Sequence, residues 1–165
     1  MKVLNRLITA ELTNEAKKIS RKIGVLDNSI LRGKGNLAGI IGDLLIAKEV
    51  KGFRAETYDF DVLTPTGIKI DVKTKRTTVM RIEPHFEASI ADFNTRQKCD
   101  VYAFCRVNLK ENLGFIIGWI EKENYFKEAV FLKKGQVDPS NNYTVKADCW
   151  NLPYSKLNSF PFSIH

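Results

Sequence analysis

The chain has 165 residues, of which 44% are hydrophobic, and its formal net charge is +7. This size favours a single domain with a substantial core, and no apolar run reaches the roughly 18 residues that a membrane-spanning helix needs. Three cysteines without a C-x-x-C spacing and only two histidines argue against a disulfide framework, a zinc finger and Ser-His-Asp catalysis. They favour a reducing compartment, and since the N-terminus lacks a signal-peptide pattern we expect a cytoplasmic protein.

Positive charge is concentrated in the first 35 residues, which contain eight Lys or Arg and three Asp or Glu. This segment carries +5, and the remaining residues contribute only +2. A basic end favours a polyanionic partner, with nucleic acid as the leading candidate and simple solubility charge as the alternative. We divide the domain into a basic helical part (1–35), a core (36–130) and a C-terminal tail packed on that core (131–165).

Two helices are predicted in the first 50 residues. The first, 11–23, has apolar residues at helical spacing, namely Leu12, Ala16, Ile19 and Ile23. The second, about 37–50, is apolar nearly all round and should be buried against a sheet. Gly39 and Gly42 each cost the helix about 1 kcal/mol, which makes sense if its backbone approaches another element closely.

Asp43 is the only charged residue between Asn36 and Ala47 in this apolar helix. Burying a carboxylate without a partner is costly, so the side chain needs one. One interpretation makes Asp43 part of a functional site. The other places it at a solvent gap or pairs it with a structural lysine.

Residues 57–64 and 67–76 predict the two strands of a hairpin, with a turn at 65–67 in which glycine supplies a positive φ. Because side chains alternate along a strand, Asp71 and Lys73 share a face, and the pairing places Asp61 opposite Asp71 and Asp59 opposite Lys73. Opposed carboxylates repel, and a hard divalent cation such as Mg²⁺ is a good reason for such an arrangement. Asp61 is preferred over Asp59 because two apolar strand residues follow it and it lies opposite Asp71, but Asp59 remains open.

The rest of the chain predicts more strands than helices. We expect a loop over 77–98 with a short helical segment at 87–95, core strands at 100–107 and 115–120, and a short helix at 121–129. The tail keeps enough apolar residues to pack against the body. This order predicts an α/β (α+β) fold with a central mixed β-sheet flanked by helices.

The stretches Gly39-Ile-Ile-Gly-Asp43, Asp59-Phe-Asp61 and Asp71-Val-Lys73-Thr, in this order, resemble the PD-(D/E)XK nuclease superfamily. The resemblance covers about 36–107 and is to small phage-type or resolvase-like members. It implies a restriction-endonuclease-like core and a Mg²⁺-dependent deoxyribonuclease, with Mn²⁺ able to substitute, that is structure-selective or weakly sequence-selective. Two departures are Tyr58, where the name-giving pattern has Pro, and Asp43, where Glu is more usual.

The resemblance also implies roles for single residues. Asp61, Asp71, the Val72 carbonyl and Asp43 would hold the metal, Lys73 would orient or deprotonate water or stabilise negative charge, and Asp59 competes with Asp61. Contacts to DNA would come from basic and polar residues around the site: Lys75, Arg76, Arg32, Lys34 and Gln97. A nucleic-acid-binding protein without catalysis and a basic interaction module remain alternatives. Cutting both strands of a branched DNA would favour a homodimer.

Overall fold

Two β-sheets and three α-helices form the part of the chain that the computed structural model describes, residues 1–23 and 36–162. The helices are α1 (Ala10–Ile23), α2 (Asn36–Glu49) and α3 (Lys122–Glu128). The strands, in chain order, are β1 (Leu4–Leu7), β2 (Phe53–Arg54), β3 (Val62–Leu63), β4 (Lys69–Arg76), β5 (Glu87–Ala91), β6 (Val101–Asn108), β7 (Leu113–Glu121), β8 (Val130–Leu132) and β9 (Cys149–Pro153). The helices of these residues are too short or too polar to cross a bilayer.

The larger sheet has six strands in the order β1-β7-β6-β4-β3-β2. Strands β4 and β6 are parallel, and the other neighbours are antiparallel, so the predicted mixed α+β fold is confirmed. Strands β6 and β4 are the central pair of this order, and nearly every side chain along β6 and its neighbour β7 is buried. The predicted hairpin of β6 and β7 is present, and the helices predicted at 11–23, 37–50 and 121–129 form within two residues of their expected bounds.

Strand β4 separates two cores. Ile70 and Val72 belong to the core beneath α1 and α2, whereas Asp71 pairs in register with Tyr102, which belongs to the core on the other side. Alternation therefore places Asp71, Lys73 and Lys75 on the face away from α2.

Helix α2 packs directly on β4 at Gly42, where a Cβ atom would overlap the Oγ1 of Thr74. The sequence predicted such a close approach of the helix backbone to another element at Gly42. Gly39 does not share it, because a Cβ there would meet none of the described atoms within 4 Å. The contact holds the middle of β4 against the helix that carries Asp43.

The first strand of the predicted hairpin is much shorter than 57–64. Only Val62 and Leu63 pair with β4, and the turn closes through hydrogen bonds between Thr64 and Ile68 and a φ of +86° at Gly67. Residues before Asp61 instead form their own turn, held by the Thr57 hydroxyl and the Phe60 backbone. The edge of β4 from Val72 onward is therefore left without a β3 partner.

The helix predicted at 87–95 is wrong: residues 87–91 form strand β5, and only Asp92–Asn94 make a 3₁₀ turn. Strand β5 lies beside β9 in a second sheet, whose order is β5-β9-β8. The pairing joins Ala88 to Leu152 and Ile90 to Trp150, across about 60 residues of sequence. Such a partner is invisible to a local pattern, and β1 and β9, which pair with β7 and β5, were missed for the same reason. Strands β2 and β8 were missed because two and three residues are too few to show an alternating pattern.

Candidate active site

Asp71 and Lys73 lie together on β4, as alternation predicted. Lys73 Nζ is 2.7 Å from Asp71 Oδ2, and the two side chains are 17% and 2% exposed. The contact is not aligned as a hydrogen bond, so Asp71 Oδ2 is buried without a hydrogen-bond partner. A carboxylate oxygen in this state can still accept a ligand.

Asp61 reaches the same place from the end of β3. The register that joins Val62 to Ile70 brings Asp61 opposite Asp71, and the backbone N–H of Asp61 donates to the Ile70 carbonyl at 2.9 Å. Its Oδ2 accepts a hydrogen bond from the Val72 N–H at 2.8 Å. Burial, then the nearby charges of Asp43 and Asp71, raise the pKa of Asp61 well above its usual range.

The Val72 carbonyl shares this open edge. In a strand, the N–H and C=O of one residue point to the same side, and the Val72 N–H points to the Asp61 carboxylate. The carbonyl therefore lies on the side of β4 that faces Asp61. This is where the resemblance placed a backbone ligand.

Asp43 approaches from helix α2 and is paired with an arginine. Arg54 Nε on β2 donates to Asp43 Oδ2 at 3.3 Å, with the side chains 14% and 8% exposed. Burial raises the pKa of Asp43 to about 7, although the Arg54 cation opposes this rise and Asp71 adds to it. Asp43 thus lies within electrostatic range of Asp61 and Asp71, but one of its oxygens is already bound.

Gln97 fixes the position of Lys73. Its Oε1 accepts from Lys73 Nζ at 3.0 Å, and its Nε2 donates to the Tyr58 carbonyl at 2.9 Å. Lys122 Nζ donates to the backbone carbonyl of Gln97. The ammonium of Lys73 is thereby held between one carboxylate and one amide oxygen.

Asp59 lies apart from this cluster, although it is only two residues from Asp61. Its Oδ1 accepts a hydrogen bond from the Lys98 N–H at 3.1 Å, and the residue is half-buried. The geometry therefore brings Asp61, and not Asp59, to Asp71.

The structure places the candidate DNA-contacting residues in different surroundings. Gln97 is at the site, and Arg76 is exposed at the end of β4. Lys75 is instead covered by β5, where its Nζ donates to the Glu87 carbonyl at 2.9 Å and to Ser89 Oγ at 2.8 Å. A phosphate contact by Lys75 would require β5 to move. Arg32 and Lys34 lie outside the described residues.

The donor set fits a magnesium ion better than a softer metal. Within residues 1–23 and 36–162, no group of three or more His, Cys, Asp or Glu side chains is placed to hold a metal. Mg²⁺, however, is commonly held by one or two carboxylates and keeps several waters. Asp61 and Asp71, with the Val72 carbonyl beside them and one carboxylate oxygen without a hydrogen bond, meet that requirement.

Arg54 is the residue that sequence reasoning missed. The apolar helix signalled that Asp43 needs a partner, but Lys48, Lys51 and Arg54 all follow it within eleven residues. Sequence separation alone does not choose among three cations. The choice depends on the β2–β3 pairing, which joins Arg54 to Val62 and so brings it beside α2.

No protein-family model matches the sequence, and no curated protein matches it. The resemblance of residues 36–107 to a nuclease superfamily therefore rests on the motif residues and on their placement described above.

Proposed function

We propose that this protein is a metal-dependent deoxyribonuclease of the PD-(D/E)XK type that hydrolyses DNA phosphodiester bonds, built on a restriction-endonuclease-like core. One observation carries the proposal: the Asp61 and Asp71 carboxyl groups meet at the open edge of β4, with Lys73 Nζ 2.7 Å from Asp71. Two carboxylates in a poorly solvated place repel each other unless one is protonated or a cation lies beside them, and a divalent cation would offset both charges.

Asp61, Asp71 and the Val72 carbonyl would hold Mg²⁺, with Mn²⁺ able to substitute. When bound, the metal polarises the scissile phosphate and lowers the pKa of an attacking water. Positive charge beside the two carboxylates would also oppose the rise in the pKa of Asp61, which is caused first by burial and then by the charges of Asp43 and Asp71.

Lys73 supplies the second cationic group. Its ammonium is fixed by Asp71 and Gln97, so it can orient a water molecule or stabilise negative charge that develops on the phosphate. Fixing this group before the reaction matters, because a preorganised charge needs no rearrangement in the transition state.

The substrate is inferred from charge. A net charge of +7 favours a polyanion. DNA is the substrate that the resemblance implies, with structure-selective or weakly sequence-selective cleavage.

A non-catalytic nucleic-acid-binding protein with the same fold is the second candidate, and the Asp43–Arg54 pair favours it. An arginine on the helix carboxylate neutralises the third acid of the region, as expected if the site had lost its chemistry. In the nuclease interpretation, the same pair keeps Asp43 away from the metal and leaves a two-carboxylate site.

The test uses a matched pair of aspartates. Asp61→Asn and Asp71→Asn should abolish Mg²⁺- or Mn²⁺-dependent cleavage across linear, nicked, single-stranded and four-way-junction DNA. Asp59→Asn, the same substitution two residues from Asp61 on a side chain that accepts from the Lys98 N–H instead, should leave cleavage unchanged. Calorimetric titration with Mg²⁺ should show one binding event in the native chain and none in Asp71→Asn.

The outcomes separate the candidates. Equal activity of all three variants would place the chemistry elsewhere. A native chain that binds DNA but neither binds Mg²⁺ nor cleaves any DNA form would support the non-catalytic alternative.

A further inference from the structure

A second polar site lies at the far end of β4, where β4 and β6 leave the sheet. It is a cleft of about 530 Å³. Its described lining contains three cations, two threonines and an asparagine, and none of these lining residues is acidic: Arg76, Thr77, Thr78, Val79, Arg106, Val107, Asn108, Leu109 and Lys110.

Arg106 is the anchor of this cleft. It is half-buried, its Nε donates to the Tyr154 hydroxyl at 3.0 Å, and its guanidinium carbon lies 4.6 Å from the centre of the Phe86 ring. The Tyr154 ring lies on it as well, with a distance of 5.4 Å to the ring centre. These contacts orient the guanidinium plane without neutralising it.

Nothing in the described part of the chain balances the Arg106 charge, since no carboxylate there forms an ion pair with it. Its neighbour in the parallel register is another cation, Lys75, and the two repel. Arg76 and Lys110 add two more positive charges at the cleft. A half-buried, unpaired cation is costly, and an anion in the cleft would offset that cost.

The remaining polar groups suit an anion with several oxygens. The Thr77 hydroxyl accepts from the Val79 N–H at 3.2 Å, which leaves its proton free to donate. Guanidinium, ammonium and hydroxyl donors around one cavity are the set that phosphate oxygens prefer.

The geometry points to a phosphate-binding cleft, formed by Arg106, Arg76 and Lys110. It would bind the backbone of a nucleic-acid strand at a second point, distant from the candidate active site. The choice of nucleic acid as the source of phosphate rests on the proposed function; the anion chemistry does not. Arg76 is five residues from Asp71, about 16 Å along an extended strand. That span corresponds to about five nucleotide steps of duplex at roughly 3.4 Å each.

The experiment measures binding with EDTA present, so that it does not depend on the metal site. A fluorescein-labelled DNA duplex is titrated with the native chain, with Lys110→Gln, with Arg106→Gln and with Lys146→Gln. Lys146 is exposed and outside the cleft lining, so its variant makes the same charge change elsewhere. We expect each cleft variant to bind about ten-fold more weakly at low salt and to reduce the salt slope by about one, with Lys146→Gln near the native values.

A site-specific readout separates binding from folding. The Nε–H resonance of Arg106 in the native chain should shift on titration with inorganic pyrophosphate, and Lys110→Gln should weaken that shift without altering the free spectrum. An Arg106 resonance that pyrophosphate does not move would overturn the inference. A pyrophosphate shift without any effect of the variants on duplex binding would overturn the nucleic-acid assignment and keep a small phosphate ligand. Because no step needs metal or cleavage, failure of this experiment leaves the nuclease proposal standing. Absence of cleavage in the other experiment likewise leaves the phosphate-binding cleft standing.

Discussion

Lys73 and Lys75 are the same residue type, on the same face of the same strand, two positions apart, and yet their surroundings differ. Lys73 lies beside a carboxylate at 2.7 Å and an amide oxygen at 3.0 Å. Lys75 lies under β5 and donates to a carbonyl and a hydroxyl. Burial, followed by repulsion from Arg106, lowers the pKa of Lys75 to about 8.

The difference shows what makes a lysine a candidate catalytic group. Both side chains are held by hydrogen bonds, but only Lys73 lies next to a carboxylate pair that a cation and a phosphate could approach from the open edge of β4. The Lys75 ammonium donates its hydrogen bonds to β5 and so links the two sheets. A basic residue on the correct face is therefore not enough, because access decides its role.

The largest expected effect is on cleavage. Lys73→Met should lower the DNA cleavage rate about 100- to 1,000-fold, because it removes a preorganised charge from the site. Lys75→Met should retain the native rate within about three-fold, since its side chain faces β5. Single-turnover cleavage with Mg²⁺ measures both, with the free energy of unfolding as a check on folding. Similar losses of cleavage rate in Lys73→Met and Lys75→Met would contradict the different roles given to the two lysines.

The next effect is on the packing that holds both lysines. Gly42→Ala would drive a methyl group into Thr74, the residue between them, and should lower the free energy of unfolding by about 3 kcal/mol. Gly39→Ala, in the same helix, should raise that free energy by roughly 0.5–1 kcal/mol, because alanine is the better helix former and space is open. Urea denaturation measures both changes. A neutral Gly42→Ala would show that α2 is not seated on β4.

The smallest effect is the contribution of Lys75 to the pH dependence of the free energy of unfolding. Its folded pKa of about 8 lies below its ordinary value of about 10.4, so between these pH values the unfolded chain binds more protons than the folded chain. The free energy of unfolding therefore rises with pH across this window, and below it the cost of the buried charge is complete. Relative to Lys75→Met, the native chain should gain about 2 kcal/mol from pH 8 to pH 10.4. Urea denaturation across this range gives the difference, and a constant difference would mean that Lys75 is solvated.

Much of the site could be predicted from local patterns. Period-two alternation placed Asp71 beside Lys73, and the turn glycine with a φ of +86° set a register that brings Asp61 to Asp71. Both signals act within about 20 residues, where the backbone itself limits the arrangements. Strand β5 could not be predicted, because its pairing partner lies about 60 residues away and its five residues resemble a helical segment as much as a strand.

The sequence by itself determined three helices, the central strands and the placing of Asp71 beside Lys73, because hydrophobic period and turn chemistry are local; it preferred Asp61 as their partner but left Asp59 open. Only the tertiary structure decided that Arg54 pairs with Asp43, that Gln97 fixes Lys73 and that β5 covers Lys75. Each of these contacts joins elements whose relative position depends on how sheets and helices pack. The partner of a buried charge is selected by that packing, since several cations in the sequence meet its electrostatic need equally well.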